Sequence, residues 1–223
     1  MTRDPSQDSP HVAPGLGGIT EQVSWYVRQK MFQILMRTLP LTPETKILDV
    51  GVTSDQHKDC NFFEKLYPYP QNITAVGIED ASFLEKEFPG LTFIQTDGGK
   101  LPFPDKSFDL VVSFAVINCV GLYSQKQFLQ ELCRVGRTCV ITTPNPWYPI
   151  DFHTALPLVH WLPEPWFRKI IKWLGHDFFA KEENLHIITE KEILEMLPPG
   201  VKTHKKNFWL FGLVSNFIFY FET

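Results

Sequence analysis

Apolar residues recur at helical spacing across residues 19–39, ITEQVSWYVRQKMFQILMRTL, where Val23, Tyr26, Val27, Met31, Ile34 and Leu35 share one face. Pro40 and Pro43 end that helix. Beyond them the pattern changes to short, almost continuously apolar runs: TKILDVG, NITAVGIED, LTFIQTDGG, SFDLVVSFAVINCVG and RTCVITTPN. Such runs predict strands covered on both faces. Helical pieces separate most of them. CNFFEKLYPYP stops at Pro68 and Pro70, and SFLEKEFPG runs up to Pro89. SQKQFLQELCRVG has Ser124 as an N-cap and Gly136 just past its end. The link GKLPFPDK, between the third and fourth strands, is too short for a helix of normal length. The order β-α-β-α-β-β-α-β predicts a doubly wound, mostly parallel α/β sheet with right-handed crossovers.

The tail departs from this alternation. A Pro- and Trp-rich stretch, residues 144–166, leads to a helix, PWFRKIIKWLG, which Gly175 can end. TEKEILEML follows, with Thr189 and Glu192 at capping-box spacing. Strands at about 201–209 and 215–222 bring the sheet to seven. The expected organisation is a flexible arm, residues 1–20, and one domain, residues 21–223. An insertion at about 146–188 would form an acceptor site or lid. In PWFRKIIKWLG, Trp166, Phe167, Ile170, Ile171, Trp173 and Leu174 cover one broad face, and Arg168, Lys169 and Lys172 share the other. That face suits packing on the sheet edge, a lid over an apolar substrate, or a peripheral membrane contact through 165–175.

Composition narrows the classes. At 223 residues and 43% apolar content the chain suits one sizeable domain. A net charge of −4 with no basic stripe argues against a nucleic-acid binder. The N-terminal segment has no apolar core of a signal peptide, and no run reaches the ~18 apolar residues of a membrane span. Cys60, Cys119, Cys133 and Cys139 form no CxxC pair and no zinc spacing, which points to reduced thiols in a cytoplasmic protein without a metal site.

In an open α/β sheet, ligands gather at the carboxyl ends of the strands. There the chain supplies Asp49-Val50-Gly51, Glu79-Asp80, Asp97-Gly98, Asn118-Cys119 and Thr143-Pro144-Asn145, in strand order. Gly51 lets backbone approach a ligand, Glu79 can accept from both hydroxyls of a ribose, and Asp97 can accept from an adenine amino group beside Gly98. Each alone is an ordinary turn former; their joint placement carries more weight.

With KILDVGV, ITAVGIED, LTFIQTDGGKLPFPDKSFDLVVSFAVINCVG and ELCRVGRTCVITTPN, residues 44–145 resemble the class I S-adenosylmethionine-dependent methyltransferases, in their type 11-like small-molecule branch. The resemblance implies a Rossmann-like seven-stranded fold and S-adenosyl-L-methionine as cofactor. By the same resemblance, Asp49 and Gly51 would line its methionine part and Glu79 would hold the ribose. Asp97 and Gly98 would meet the adenine, Leu101 would wall its pocket, and Asn118 would face the transferred methyl. The first turn departs from the pattern: Thr53 and Asp55 stand where the family carries glycines, and thirty positions separate Asp49 from Glu79. A dinucleotide would lack its pyrophosphate cradle here. S-adenosylmethionine presents a carboxylate and an ammonium instead. Thr53 or Ser54 could serve the first and Asp55 the second; alternatively Ser54 or Asp55 caps the next helix.

The acceptor is expected to be a small molecule, a glycan or a lipid-linked compound, with oxygen as the methylated atom. Methyl transfer needs an aligned nucleophile and, where a proton must leave, a base. After the fifth strand, PNPWYPIDFHTALPLVHWLP offers His153 first, as a base suited to neutral pH. Asp151 could orient it, and Tyr148 is the third candidate. A loop histidine bonded to backbone is the competing account. Cys119 reads as a small buried apolar residue. The runner-up function is a catalytically silent methyltransferase fold serving as a partner or regulatory subunit. The sequence carries no signal for oligomeric state.

Overall fold

The computed structural model describes residues 17–96, 99–121 and 124–223. Helix α1 (Gly17–Thr38) begins inside the stretch expected as a flexible arm; the remainder of that expectation, residues 1–16, lies outside the described residues. Its inward face carries Val27, Met31 and Leu35, all buried, whereas Tyr26 is half exposed.

The chain then alternates β1 (Ile47–Val50), α2 (Phe62–Leu66), β2 (Ile73–Gly77), α3 (Phe83–Glu87), β3 (Thr92–Gln95), β4 (Phe108–Phe114), α4 (Gln125–Val135) and β5 (Gly136–Pro144). After the insertion come α5 (Glu164–Trp173), α6 (Glu190–Met196), β6 (Lys202–Leu210) and β7 (Leu213–Glu222). Across the sheet the order is β3-β2-β1-β4-β5-β7-β6. Strands β1 to β5 pair in parallel, and β7 runs antiparallel to β5 and β6. The expected doubly wound, mostly parallel seven-stranded sheet is present, and the order reverses between β1 and β4.

Strand alternation feeds two cores. Ile47, Ala75, Leu110, Val112 and Val140 face α1 and α2. Leu48, Val50, Val76, Val111 and Ile141 face α4 and α6. A fully buried aliphatic side chain contributes roughly 1.5–3 kcal/mol, so both faces anchor the strand tips.

Several local expectations change. The fourth strand stops at Phe114 rather than running to residue 121, because Ala115 adopts a left-handed conformation (φ 60°) and donates its amide to the Thr142 carbonyl at 3.0 Å. A 3-10 turn, Ile117–Cys119, follows, so Asn118 sits on that turn and not on the strand. Ser124 occupies the N-cap of α4 without a capping bond from its side chain. Gly136 ends α4 and at once begins β5. A Cβ there would meet Val111 at 2.6 Å, so the junction needs the missing side chain. The Thr189–Glu192 capping box is present, and Gly175 closes α5 with φ 90°. Phe211 and Gly212, both at positive φ, make the tight turn joining β6 to β7.

The insertion has a small core of its own, built from Phe167, Ile171, Phe179 and Leu185. The broad apolar face expected of α5 is therefore split. Phe167 and Ile171 point inward, while Trp166 and Trp173 are 62% and 83% exposed. Arg168 is not on a solvated face either. Its guanidinium donates to the carbonyls of Phe179, Lys181 and Leu185 and pairs with Glu164 at 2.9 Å. Among the described residues no helix is long and apolar enough to cross a membrane.

Candidate active site

At the tip of β1 the backbone turns through Gly51 at φ 111°, a conformation that side chains rarely adopt. Its amide and that of Val52 both reach the Val76 carbonyl, at 2.8 and 3.1 Å. A Cβ on Gly51 would lie 2.2 Å from Val116, the residue opening the turn after β4. Gly77, which the sequence reading passed over, has the same function on β2: a Cβ there would lie 2.3 Å from the Val52 carbonyl oxygen. The glycines expected further along the first turn are thus unnecessary for its entry; Gly51 and Gly77 provide the close approach.

The rest of the loop is fixed by a side chain. Asn61, buried and left-handed at φ 46°, accepts from the Thr53 amide at 3.0 Å and donates to the Thr53 carbonyl at 2.8 Å, reaching Asp55 O as well. One carboxamide clamps both backbone groups of Thr53. Neither Ser54 nor Asp55 caps α2, whose N-cap is Asn61 itself. The Asp55 carboxylate lies 3.6 Å from His57, and Asp55 meets the clamp through its backbone carbonyl. Asn61 was missed because its effect depends on a loop that closes over eight residues.

Glu79, beyond the end of β2, points back at the same loop. One of its oxygens accepts from the Thr53 hydroxyl and the Ser54 amide, both at 3.2 Å, and from the Ser54 hydroxyl. Thr53 and Ser54 therefore position the carboxylate expected at the ribose, which the sequence reading had not anticipated. Asp80 accepts from the Ser82 amide at 2.9 Å, and that bond holds its carboxyl below the ordinary value. Asp97 and Gly98 lie outside the described residues. Leu101 is buried in the core on the α4 side; its amide donates to Glu131 and its carbonyl accepts from Arg134. The Leu-Pro-Phe segment is thereby tied to α4 by one carboxylate–guanidinium pair.

Two carboxyls meet under the first loop. Asp49, on β1, and Glu64, on α2, are both buried and act on each other electrostatically. Burial first, then the repulsion of Glu64, pushes Asp49 well above the ordinary carboxylate range. Burial raises Glu64 likewise.

On the acceptor side, Asp151 and His153 come together as expected. The imidazole Nδ1 lies 3.1 Å from Asp151, which also accepts from the Thr154 amide and hydroxyl at 2.9 and 2.6 Å. Burial opposes the charge of His153, but hydrogen bonds to Asp151 and Cys119 outweigh it and lift the imidazole to about 10. Burial likewise works against Asp151, yet the bonds from His153 and Thr154 hold it well below the usual carboxylate range. His153 is thus charged at neutral pH, contrary to the expectation of an ordinary titration there. Cys119 is half-buried and touches the His153 ring, so it is not the inert core residue that its sequence context suggested. The His153 ring also meets Phe179 edge-on at 5.8 Å, which couples it to the insertion core.

Asn118 is fully buried; its side-chain oxygen accepts from Thr143 at 2.7 Å, and its Nδ2 has no partner among the described residues. Tyr148 is buried against α1's side of the sheet, stacked on Phe152 at 5.2 Å, and burial raises its phenol. His160 bonds the Tyr148 carbonyl at 2.9 Å, the backbone-bonded arrangement that was the competing account for His153. A groove of about 470 Å³ lined by Pro146, Trp147, Leu194 and Phe217 lies on the β5–β7 side of the sheet, away from the β1–β4 reversal.

Comparison with known proteins agrees with this geometry. Residues 48–138 match the family model described as "Methyltransferase domain", of type 11. A probable S-adenosylmethionine-dependent methyltransferase of Mycobacterium tuberculosis is 25% identical over 126 residues, 54% of this chain and 43% of the relative. The chain spans less than half the length of the curated relatives it matches. Among solved structures, an S-adenosylmethionine-dependent methyltransferase from Mesorhizobium loti superposes with a TM-score of 0.60 at 16% identity, over 86% of this chain and 97% of that one. The PH0226 protein of Pyrococcus horikoshii gives 0.61 at 12% identity, over 100% and 99%. The fold is that of the class I methyltransferases. Within it, the segment carrying β1 to β4 and the start of β5 is the part that matches the type 11 methyltransferase-domain model.

Proposed function

We propose that the chain is an S-adenosylmethionine-dependent methyltransferase acting at oxygen on a small-molecule, glycan or lipid-linked acceptor. The observation that carries this reading is the meeting of Gly51, Glu79 and the clamped Thr53–Ser54 loop at the β1 and β2 tips of a methyltransferase sheet. Gly51 and Gly77 keep the approach free of side chains, Glu79 brings a carboxylate to the place expected for a ribose, and the Asp49–Glu64 pair suits a cation. These features fit S-adenosylmethionine, whose contribution when bound is a methyl group on a sulfonium. Leu101, Asp97 and Gly98 are proposed for the adenine end, and Asn118 for the methyl end. Calorimetric titration with S-adenosylmethionine and S-adenosylhomocysteine tests the reading; no heat and no thermal shift at millimolar ligand overturns it.

On the acceptor side, His153 is proposed to take the proton, with Asp151 and Cys119 fixing its ring. Only the neutral imidazole can accept, so turnover should rise with pH towards about 10. The Trp- and Phe-rich insertion supplies the apolar wall for the acceptor. The exposed Trp166 and Trp173, with Lys169 and Lys172 between them, support a peripheral membrane contact through 165–175 in a cytoplasmic protein.

One observation favours the second reading, a silent partner subunit. The Thr53 and Ser54 hydroxyls already donate to Glu79, as they would in a fold that has closed its ribose site. A structural neighbour (TM-score 0.60, 11% identity, covering 100% of this chain and 99% of its own) comes from a complex with the Haloferax volcanii Trm112 methyltransferase activator. The same titration separates the two.

A further inference from the structure

The β6–β7 hairpin ends in a two-residue turn, Phe211-Gly212, between the paired Leu210 and Leu213. Both turn residues have positive φ, 50° and 79°, as in the type I′ turns that close many two-residue hairpins. The first position of such a turn suits Asn, Asp or Gly, and a bulky side chain there is disfavoured. Packing does not offset that cost, because Phe211 is 83% exposed. A Cβ added to Gly212 would meet no atom within 4 Å, so the turn projects clear of its surroundings. Trp209 and Leu213, on either side, are 61% and 50% exposed. From Asn207 to Phe221 the chain carries no charge at all. An unfavourable, water-facing phenylalanine in an uncharged tip points to a function outside the fold.

The hairpin stands at the carboxyl end of the parallel strands, since β7 pairs antiparallel with β5 and sets Asn216 against Pro144. Asn145 ties it to the loop after β5: its amide donates to the Ser215 carbonyl at 2.8 Å and its side chain to the Val214 carbonyl at 2.7 Å. Two residues on, Trp147 is 73% exposed and extends the apolar surface. Lys206 lies three residues before Trp209, roughly 10 Å of strand. It is exposed, and its ammonium donates to the Thr38 hydroxyl at 2.8 Å and meets no carboxylate among the described residues. Lys205, beside it, is already paired with Glu190. Aromatic rings at a tip, with an uncompensated cation set back from them, match the layers of a lipid surface, apolar below and anionic above. A protein partner would need a pocket cut to this convex tip, whereas a bilayer yields to it.

We propose that Trp209, Phe211 and Leu213 insert into the surface of an anionic bilayer, with Lys206 against its headgroups. This deepens the membrane contact proposed for α5 and rests on that reading for the class of partner, but the foothold is a separate one on other residues. It holds the carboxyl end of β5, where the acceptor loop begins, at the lipid surface, which suits a lipid-linked acceptor over a free one.

The experiment is cosedimentation of the full chain with phosphatidylcholine vesicles, with and without phosphatidylglycerol, alongside thermal melts. The wild-type chain should pellet with both, and more with the anionic vesicles at low salt. Phe211→Asn should lower the partition coefficient by about tenfold or more, the scale of one buried aromatic side chain. The same variant should melt no lower than wild type, because Asn suits the turn. Lys206→Gln should erase the preference for anionic vesicles. The pair Trp166→Ser and Trp173→Ser tests α5 by itself. Wild-type partition in Phe211→Asn, a clearly lower melt in that variant, or a wild-type dimer that Phe211→Asn splits in light scattering would each overturn the anchor. Loss of binding in the α5 variant alone would overturn the hairpin and keep α5; loss in the hairpin variant alone would do the reverse. A wild-type chain that stays in the supernatant with both vesicles overturns both contacts.

Discussion

The β1–β2 tips and the loop after β5 solve the same problem, holding polar groups out of water, by opposite means. Under the first loop the carboxyls of Asp49 and Glu64 are driven towards their neutral forms, and the loop itself is closed by the uncharged Asn61. After β5, Asp151 and His153 are both driven towards their charged forms, and Arg168 threads three carbonyls of the insertion. The contrast follows from what each side lacks. Among the described residues no cation pairs with Asp49, and the Lys65 ammonium is spent on the His57 and Cys60 carbonyls; at Asp151 the cation is two residues away in the chain. One region keeps its acids towards neutrality, and the other pairs its acid with a cation.

The severest way to break the first region is Gly51→Val. Its Cβ would collide with Val116 in a backbone conformation hostile to branched residues. The expected loss is about 3 kcal/mol or more in urea denaturation, together with all binding of S-adenosylhomocysteine. Asn61→Ala should cost about 2 kcal/mol, because it strips the Thr53 amide and carbonyl of partners in a part-buried loop; ligand affinity should fall while the sheet stays intact by circular dichroism. If the Asn61 variant kept full affinity, the loop would not need its clamp.

The second region is sharpened by pH. His153 has a folded value raised from 6.5 to about 10, so its contribution to stability is fully present below 6.5 and fades as pH climbs towards 10. The depressed Asp151 contributes above 3.8 and loses its effect as pH falls below that. The denaturation midpoint of wild type minus that of His153→Asn should therefore be constant from about pH 4.5 to 6.5 and shrink steadily by pH 9.5. A flat difference to pH 9.5 would mean that the ring is neutral. The smallest expected effect on stability is that of Trp173→Ser, at most about 0.5 kcal/mol, since the indole is 83% exposed. The same change should reduce cosedimentation with anionic vesicles if α5 touches a membrane.

What could be read from the letters follows the same division. Strands β1, β2, β4 and β5 announced themselves because short, continuous apolar runs between helical segments have few other uses in an α/β domain. The strand-tip residues Asp49, Gly51 and Glu79 were visible because the sheet fixes where a strand ends. Asn61, Glu64, Gly77 and the Cys119–His153 contact were not. Each acts through a partner eight or more positions away or through the absence of a side chain, and local pattern records neither. The α5 face was misjudged for a related reason: periodicity finds apolar residues on a helix but cannot say which of them the insertion covers.

Strand β6 forms one rim of the sheet and carries Lys202, His204, Lys205 and Lys206 in exposed positions. A border studded with ammonium groups resists annealing to another chain's strand. Lys205 also reaches Glu190 and Lys206 reaches Thr38, so replacing both by threonine bares this border to strand pairing and removes its ties to α6 and α1.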